Sequence, residues 1–212
     1  MDAVTICNDA LGLIGHSVVI TSIAPPYESV EARSCARIFP VCLAQVLALG
    51  WTFTRRDEVI TEEYLTEFTS LPWRHTYKLP SDVGTILSLT EISAPSYVHT
   101  IGQERGVIRF DLRNIDNERY LVTDADPDFV IHYHATNVGL ELVPPLVCQG
   151  LEYLLASKLA PEFVKSEIGH GQGMDYLQVS NSLLTQAWTA DLNQGAYSLK
   201  SVQVPSAIKV RL

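Results

Sequence analysis

His132 and His134 stand two apart in Phe-Val-Ile-His-Tyr-His-Ala, where the alternation of strand side chains puts both rings on one face. Two imidazoles so placed can begin a zinc site, with His75 as a third ligand. No local pattern supplies the remaining donors. Phe129, Ile131 and Tyr133 make the opposite, apolar face, so the plainer reading leaves the histidines on the wet side of a half-buried strand. No metal is expected.

Carboxylates cluster at Glu62-Glu63 with Glu67, and at Asp124, Asp126 and Asp128. Glycoside cleavage needs two carboxylates held about 5–10 Å apart with one raised pKa. Acids in turns are more often simply solvated, and these fall in turn-like segments. Gly169-His170-Gly171-Gln172-Gly173 has the look of a phosphate loop. It follows no strand, however, and no Lys-Ser/Thr pair comes after it, so it reads as a flexible connector between helices. Cys7, Cys35, Cys42 and Cys148 form no C-x-x-C and sit among apolar neighbours, which makes them core thiols. No nucleophile elbow or Cys-His signature appears. Neither a catalytic residue nor a cofactor is expected.

The elements around these residues change character twice. Asp2 is a good N-cap for a first helix carrying Ile6, Cys7, Ala10, Leu11 and Ile14, and Gly15 ends it. His16–Ile23 is an apolar connector, Pro25-Pro26 forbids helix, and Ser29 offers a second N-cap. The second helix shows Val30, Ala32, Ala36, Phe39, Leu43, Val46 and Leu47 on one face. Pro40 lies in its middle at a cost of about 3 kcal/mol, which predicts a kink or break at Ile38–Pro40.

After Gly50 the period becomes that of strands. They are expected at Thr54–Thr61, Trp73–Lys78, Gly84–Thr90, Gly106–Phe110, Tyr120–Thr123 and Phe129–His134, as an antiparallel sheet or small barrel. The breaks fall at Leu79–Asp82, Asn114–Asn117 and Asp124–Pro127. Trp51 and Phe53 are placed to pin the start of this insertion to the helices. Arg55-Arg56 reads as a partner for nearby acids such as Asp57 or Glu58, or for acids of a neighbouring subunit.

Helical spacing returns after Gly139. Pro144-Pro145 starts a third helix with a Leu151, Leu154, Leu155, Leu159 stripe, which Pro161 interrupts or restarts. A fourth runs from about Gly173 to Leu192 with Leu177, Leu184, Ala187 and Trp188 at core spacing. Each helix carries one apolar face. The expected fold is therefore α+β: a four-helix bundle (1–50 and 140–192), a β-rich insertion between helices 2 and 3 (51–139) and an extended C-terminal arm (193–212).

Of 212 residues none forms a run of about 18 apolar side chains, so no membrane span is expected. The first residues hold an acid at position two and no basic stretch, which speaks against a secretory signal and for a soluble, cytosolically made protein. Between Trp51 and Val143 there are 15 acids against 8 bases, most of the net charge of −9. Such a body disfavours tight nucleic-acid binding, because phosphate neutralisation supplies most of that affinity.

The order of several short motifs resembles one family. Cys7-Asn8-Asp9-Ala10-Leu11-Gly12-Leu13-Ile14-Gly15 is followed by Ile20-Thr21-Ser22, then Glu31-Ala32 and Cys35 in a helix ending at Trp51-Thr52-Phe53. Arg55-Arg56, Trp73, Tyr77, Leu79-Pro80-x-Asp82 and a late Leu154-Leu155-Ala156-x-x-Leu159-Ala160 come next. In order and spacing, over roughly Met1 to Leu192, this resembles the tail tubular protein A family, the head-to-tail adaptors of short-tailed bacteriophages.

The resemblance implies a structural virion protein, assembled in the host bacterial cytoplasm into a twelve-membered ring of its own copies. The ring would join the portal protein to a tail nozzle of the tail tubular protein B type. Genomic DNA would pass through without tight or sequence-specific binding, and the acidic excess would suit such a channel. The resemblance also implies a helical bundle with a β-rich insertion, and it carries no catalytic residues. The basic arm, with Lys200, Val204, Lys209 and Arg211, is the expected contact with the portal or an adjacent subunit; a frayed terminus is the alternative. A head-completion connector of a long-tailed phage shares the helical logic but tends to lack so large an insertion. A different class is a metal-dependent or wall-degrading hydrolase using His132, His134 or the acidic clusters.

Overall fold

The computed structural model describes residues 1–61, 73–92, 108–115, 117–164 and 167–196. It is mixed α+β, with four helices and two small antiparallel sheets. The chain divides into two compact units: Met1–Phe53 together with the chain from Gly139 on, and Thr54–Val138.

In the first unit, α1 (Ala3–Leu13) starts where the Asp2 carboxylate accepts from Thr5 N–H at 2.7 Å, and it ends ahead of Gly15 at φ +78°. Ile6, Cys7, Ala10 and Leu11 within it, and Ile14 just past its end, are buried, as the spacing predicts. The connector is held by Asn8, whose side chain gives to and takes from the Ile20 backbone at 2.9 Å in each direction. Ser29 caps α2 (Val30–Leu47) through Ala32 N–H.

Of the kink or break expected at Ile38–Pro40, no break occurs: helix α2 runs continuously through Pro40. Pro40 faces solvent while Ile38, Phe39 and Cys42 on either side of it are buried, so packing holds both halves of the helix in register. Val30 is exposed, and the buried face instead takes in Ser34, Cys35, Ile38 and Cys42.

Helix α3 (Pro145–Phe163) is the centre of this unit, with α1, α2 and α4 all packed against it. Its buried positions, from Val147 and Cys148 through Gly150, Leu154 and Ala156 to Ala160, are spread around its circumference instead of lying on one stripe. The helix also continues past Pro161, which sits exposed in its last turn. Side chains fasten its neighbours: Glu162 accepts from Ser34 and pairs with Arg37 at 2.8 Å.

Helix α4 (Glu167–Ala196) begins earlier than expected and absorbs the whole Gly169–Gly173 segment. Two of the three glycines in that segment, Gly169 and Gly173, are there for close approach. A Cβ on Gly169 would stand 2.3 Å from Val164 O and 2.9 Å from Ala160 O, and one on Gly173 would stand 2.8 Å from Ser157 O. Both would strike the α3 end of the chain, whereas a Cβ on Gly171 would meet nothing within 4 Å. Farther along, Ser180 gives its hydroxyl to Gly150 O at 2.7 Å and Leu184 packs onto Gly150. Trp188, expected in the core, is 43% exposed.

The second unit holds one sheet in the order β1-β6-β3 and another in the order β2-β5-β4, where a single sheet or barrel was expected. The strands are β1 (Arg55–Ile60), β2 (His75–Lys78), β3 (Val83–Glu91), β4 (Phe110–Ile115), β5 (Glu118–Thr123) and β6 (Phe129–Ala135). The expected strand Gly106–Phe110 lies partly outside the described residues. Within them the strand occupies Phe110–Ile115, pairing in a tight hairpin with β5 across Asn117 at φ +66°. Residues expected as a break are thus mostly strand, with the left-handed Asn117, a conformation that asparagine tolerates, just before β5. Tyr77 of β2 meets Phe129 of β6 edge-on at 4.9 Å, a contact between the two sheets, and Ile131, Tyr133, Leu89 and Leu121 are buried as well.

Candidate functional site

The histidines of β6 are tied into the sheet. Antiparallel register sets Asp57 of β1 on one side of His132 and Ser88 of β3 on the other. His132 Nδ1 lies 2.6 Å from Asp57 Oδ1, and its Nε2 lies 2.9 Å from Thr90 Oγ1. Carboxylate, imidazole and hydroxyl therefore run in line across three strands. An Nδ1–H donated to Asp57 leaves Nε2 to accept from Thr90, the arrangement in which a carboxylate orients a general base. The Ser88 hydroxyl beside it is buried without a hydrogen-bond partner.

His134 is not on a wet face. It is 9% exposed, and its Nδ1 lies 2.7 Å from the hydroxyl of buried Thr54. His75 stands on the other sheet with its Nε2 3.4 Å from Asp126 Oδ1. The three histidines do not converge, and among the described residues no group of three or more His, Cys, Asp or Glu side chains is arranged to hold a metal ion.

The acids of the β5–β6 turn shape the turn. Asp124 accepts from Arg74 N–H at 3.1 Å, and Asp128 at φ +73° gives its N–H to Ile60 O at 2.9 Å. Glu62, Glu63 and Glu67 lie outside the described residues. Arg56 does pair with an acid, though with Asp82 and not with Asp57 or Glu58, and it gives a hydrogen bond to Asn137 O at 3.0 Å. Asp57 and Glu58 are taken by His132 and by the Tyr133 hydroxyl at 3.1 Å.

The four cysteines are free and buried. Its hydrogen bond with Cys35 and its burial push the Cys7 thiol far up, and burial pushes Cys42 up to about 11, so both stay thiols at neutral pH.

Trp51 and Phe53 belong to the helical unit, as its last residues before the chain departs at Thr54. Trp51 is fully buried, gives its indole N–H to Val46 O at 2.7 Å and stacks on Phe53 with ring centres 5.7 Å apart. Burying an indole removes about 200 Å² from water, on the order of 5 kcal/mol. Between the two aromatics, Thr52 is gripped by the buried carboxylate of Asp191. Asp191 gave no sequence signal beyond following Ala187 by four in a helix.

Among the described residues, recesses open in each of the two units. One of about 430 Å³ in the β unit is lined by Lys78, Leu79, Pro80, Ser81, Val83, Asn117, Glu118 and Arg119, with Lys78 paired to Glu118 at 2.9 Å. The other, of about 500 Å³ on the helical unit, lies among Leu49, Asn181, Leu184, Thr185 and Trp188. Lys200, Val204, Lys209 and Arg211 fall outside the described residues. Among those residues no helix is long and apolar enough to cross a membrane. Neither a known protein family nor a curated protein matches the chain.

Proposed function

We propose that this chain is a structural subunit of a phage neck, a head-to-tail adaptor that assembles as a ring between portal and tail nozzle around the DNA path. The observation that carries the reading is topological. Two helices, an inserted two-sheet unit and two further helices follow one another, and the Trp51-Thr52-Phe53 segment is clamped where the chain departs. In this reading the four helices close as a bundle, and the acidic excess of residues 51–143 keeps DNA mobile by repulsion. The basic residues Lys200, Lys209 and Arg211, with Val204, contact the portal or the adjacent subunit.

Negative-stain microscopy of the protein alone and mixed with portal tests this reading. Rings, or portals decorated by rings, are the expected result. A monodisperse monomer that leaves portals bare overturns it. Deleting residues 195–212 should leave a folded protein that no longer attaches, and normal attachment would remove the arm from the reading.

The Asp57–His132–Thr90 line favours a second reading, acyl hydrolysis with Thr90 as nucleophile and His132 as base. Turnover of activated esters that is lost in both Thr90→Val and His132→Ala would support it. Equal rates in the wild type and both variants would leave the line as a clamp between strands.

A further inference from the structure

Arg119 of β5 carries its guanidinium across to the start of β3, where it meets only backbone. It gives to Val83 O at 3.5 Å and to Gly84 O at 3.4 and 3.5 Å, lengths at the outer limit of a hydrogen bond. Among the described residues it makes no ion pair, whereas Arg56 and Arg113 each hold a carboxylate. The guanidinium borders the 430 Å³ recess of the β unit, whose wall includes Leu79, Pro80 and Val83. Leu79 and Val83 are buried.

Charge sets this recess apart. Its described lining holds two bases and one acid, in a stretch, Trp51 to Val143, with 15 acids against 8 bases. The acid, Glu118, is engaged by Lys78 Nζ at 2.9 Å and by the Tyr120 hydroxyl at 2.9 Å. Lys78 and Glu118 cancel, and the charge left over is that of Arg119.

We propose that the recess is a binding site for an aliphatic carboxylate, with the acid group on Arg119 and a branched apolar body against Leu79, Pro80 and Val83. A carboxylate would exchange the long carbonyl contacts of the guanidinium for two parallel charge-assisted bonds, which its planar fork is shaped to give. One net positive charge matches one monovalent anion. A phosphate group brings up to two negative charges to that single cation and would lose hydration against an apolar wall. The volume lies at the small end of the range for ligand pockets, which suits a body the size of a leucine side chain. The site rests on nothing in the adaptor reading, and each can fail alone.

Saturation-transfer NMR observed on the ligand tests it with the full chain, because the signal reads binding to monomer and ring alike. The probes are N-acetyl-leucine, 4-methylpentanoate and N-acetyl-leucinamide. Both acids should bind saturably in the millimolar range, and the amide, which lacks the charge, about tenfold more weakly or worse. Acetyl-leucine binding tighter than 4-methylpentanoate would mark a peptide terminus as the source of the carboxylate, and equal binding a free acid. Arg119→Gln, folded by circular dichroism, should lose about tenfold or more, while Arg113→Gln, outside the recess, should match the wild type. Equal binding of acid and amide overturns the proposal on the wild type alone. So does the absence of saturation up to about 50 mM, undiminished binding in Arg119→Gln, or displacement of the acids by an equal concentration of inorganic phosphate.

Discussion

Asp191 takes both donors of Thr52: the backbone N–H at 2.7 Å on one carboxylate oxygen and the hydroxyl on the other, across 139 residues of sequence. The carboxylate is 6% exposed, so its solvation comes from Thr52 in place of water. Asp191→Ala strands both donors and should cost about 2–4 kcal/mol, with Asp191→Asn losing less. Thermal melts of the single variants and of Thr52→Ala/Asp191→Ala measure the coupling. Strictly additive losses would show that the two residues do not act together.

The three glycines at the start of α4 should respond with opposite signs. Alanine at Gly169 or Gly173 drives a methyl into backbone oxygens of α3 or its C-terminal end, at 2.3 and 2.8 Å. A loss of about 1–3 kcal/mol is expected. Gly171→Ala meets nothing, so helix propensity alone should stabilise by about 0.5–1 kcal/mol. Denaturant midpoints of the three variants decide it. If all three gained stability, α4 would not lie so close to α3.

Pro40 is exposed inside a continuous helix. Pro40→Ala restores an N–H that can bond to the carbonyl one turn back and removes the ring's crowding. Stabilisation of about 1–2 kcal/mol is expected, part of the full proline penalty, because alanine also frees the unfolded chain. An unchanged or lower unfolding midpoint would mean that the pyrrolidine itself packs usefully.

Tyr133 should make the β unit sensitive to strong base. Its phenol is pushed up to about 12, first by burial and then by Asp82 and Glu58, which accept its hydrogen bonds at 3.2 and 3.1 Å. The unfolded chain ionises this group near 10, so the stability it contributes is complete below pH 10 and is lost as pH rises from about 10 to 12. An alkaline titration of tyrosinate absorbance should show one of the nine tyrosines lagging, or a β unit that unfolds in that window. Tyr133→Phe should abolish the lag. A lag that persists in the variant belongs to another tyrosine.

The caps, helix cores and strand runs could be read from sequence because each is a local pattern. Asp2 and Ser29 precede apolar spacing, and Phe129, Ile131 and Tyr133 alternate. What failed is non-local. Pro40, Pro161 and Gly169–Gly173 are helix breakers by propensity, and each sits within a helix because a neighbouring element holds it there. Trp188 kept core spacing yet lies on the exposed flank of α4, since Gly173, Ser180 and Asp191 mark the buried face without being apolar. His132 found Asp57 and Thr90 through strand pairing that no spacing along the chain announces.

Because α3 is the helix on which α1 and α2 rest, and Thr54–Val138 comes before it, synthesis and assembly run in different orders. At about 5–20 residues per second on the ribosome, α3 emerges on the order of 5–20 s after α2. During that interval Ile6, Leu11 and Phe39 lack the helix that covers them in the finished core, while the β unit has already been synthesised. The first apolar surface to be translated is among the last to be sheltered.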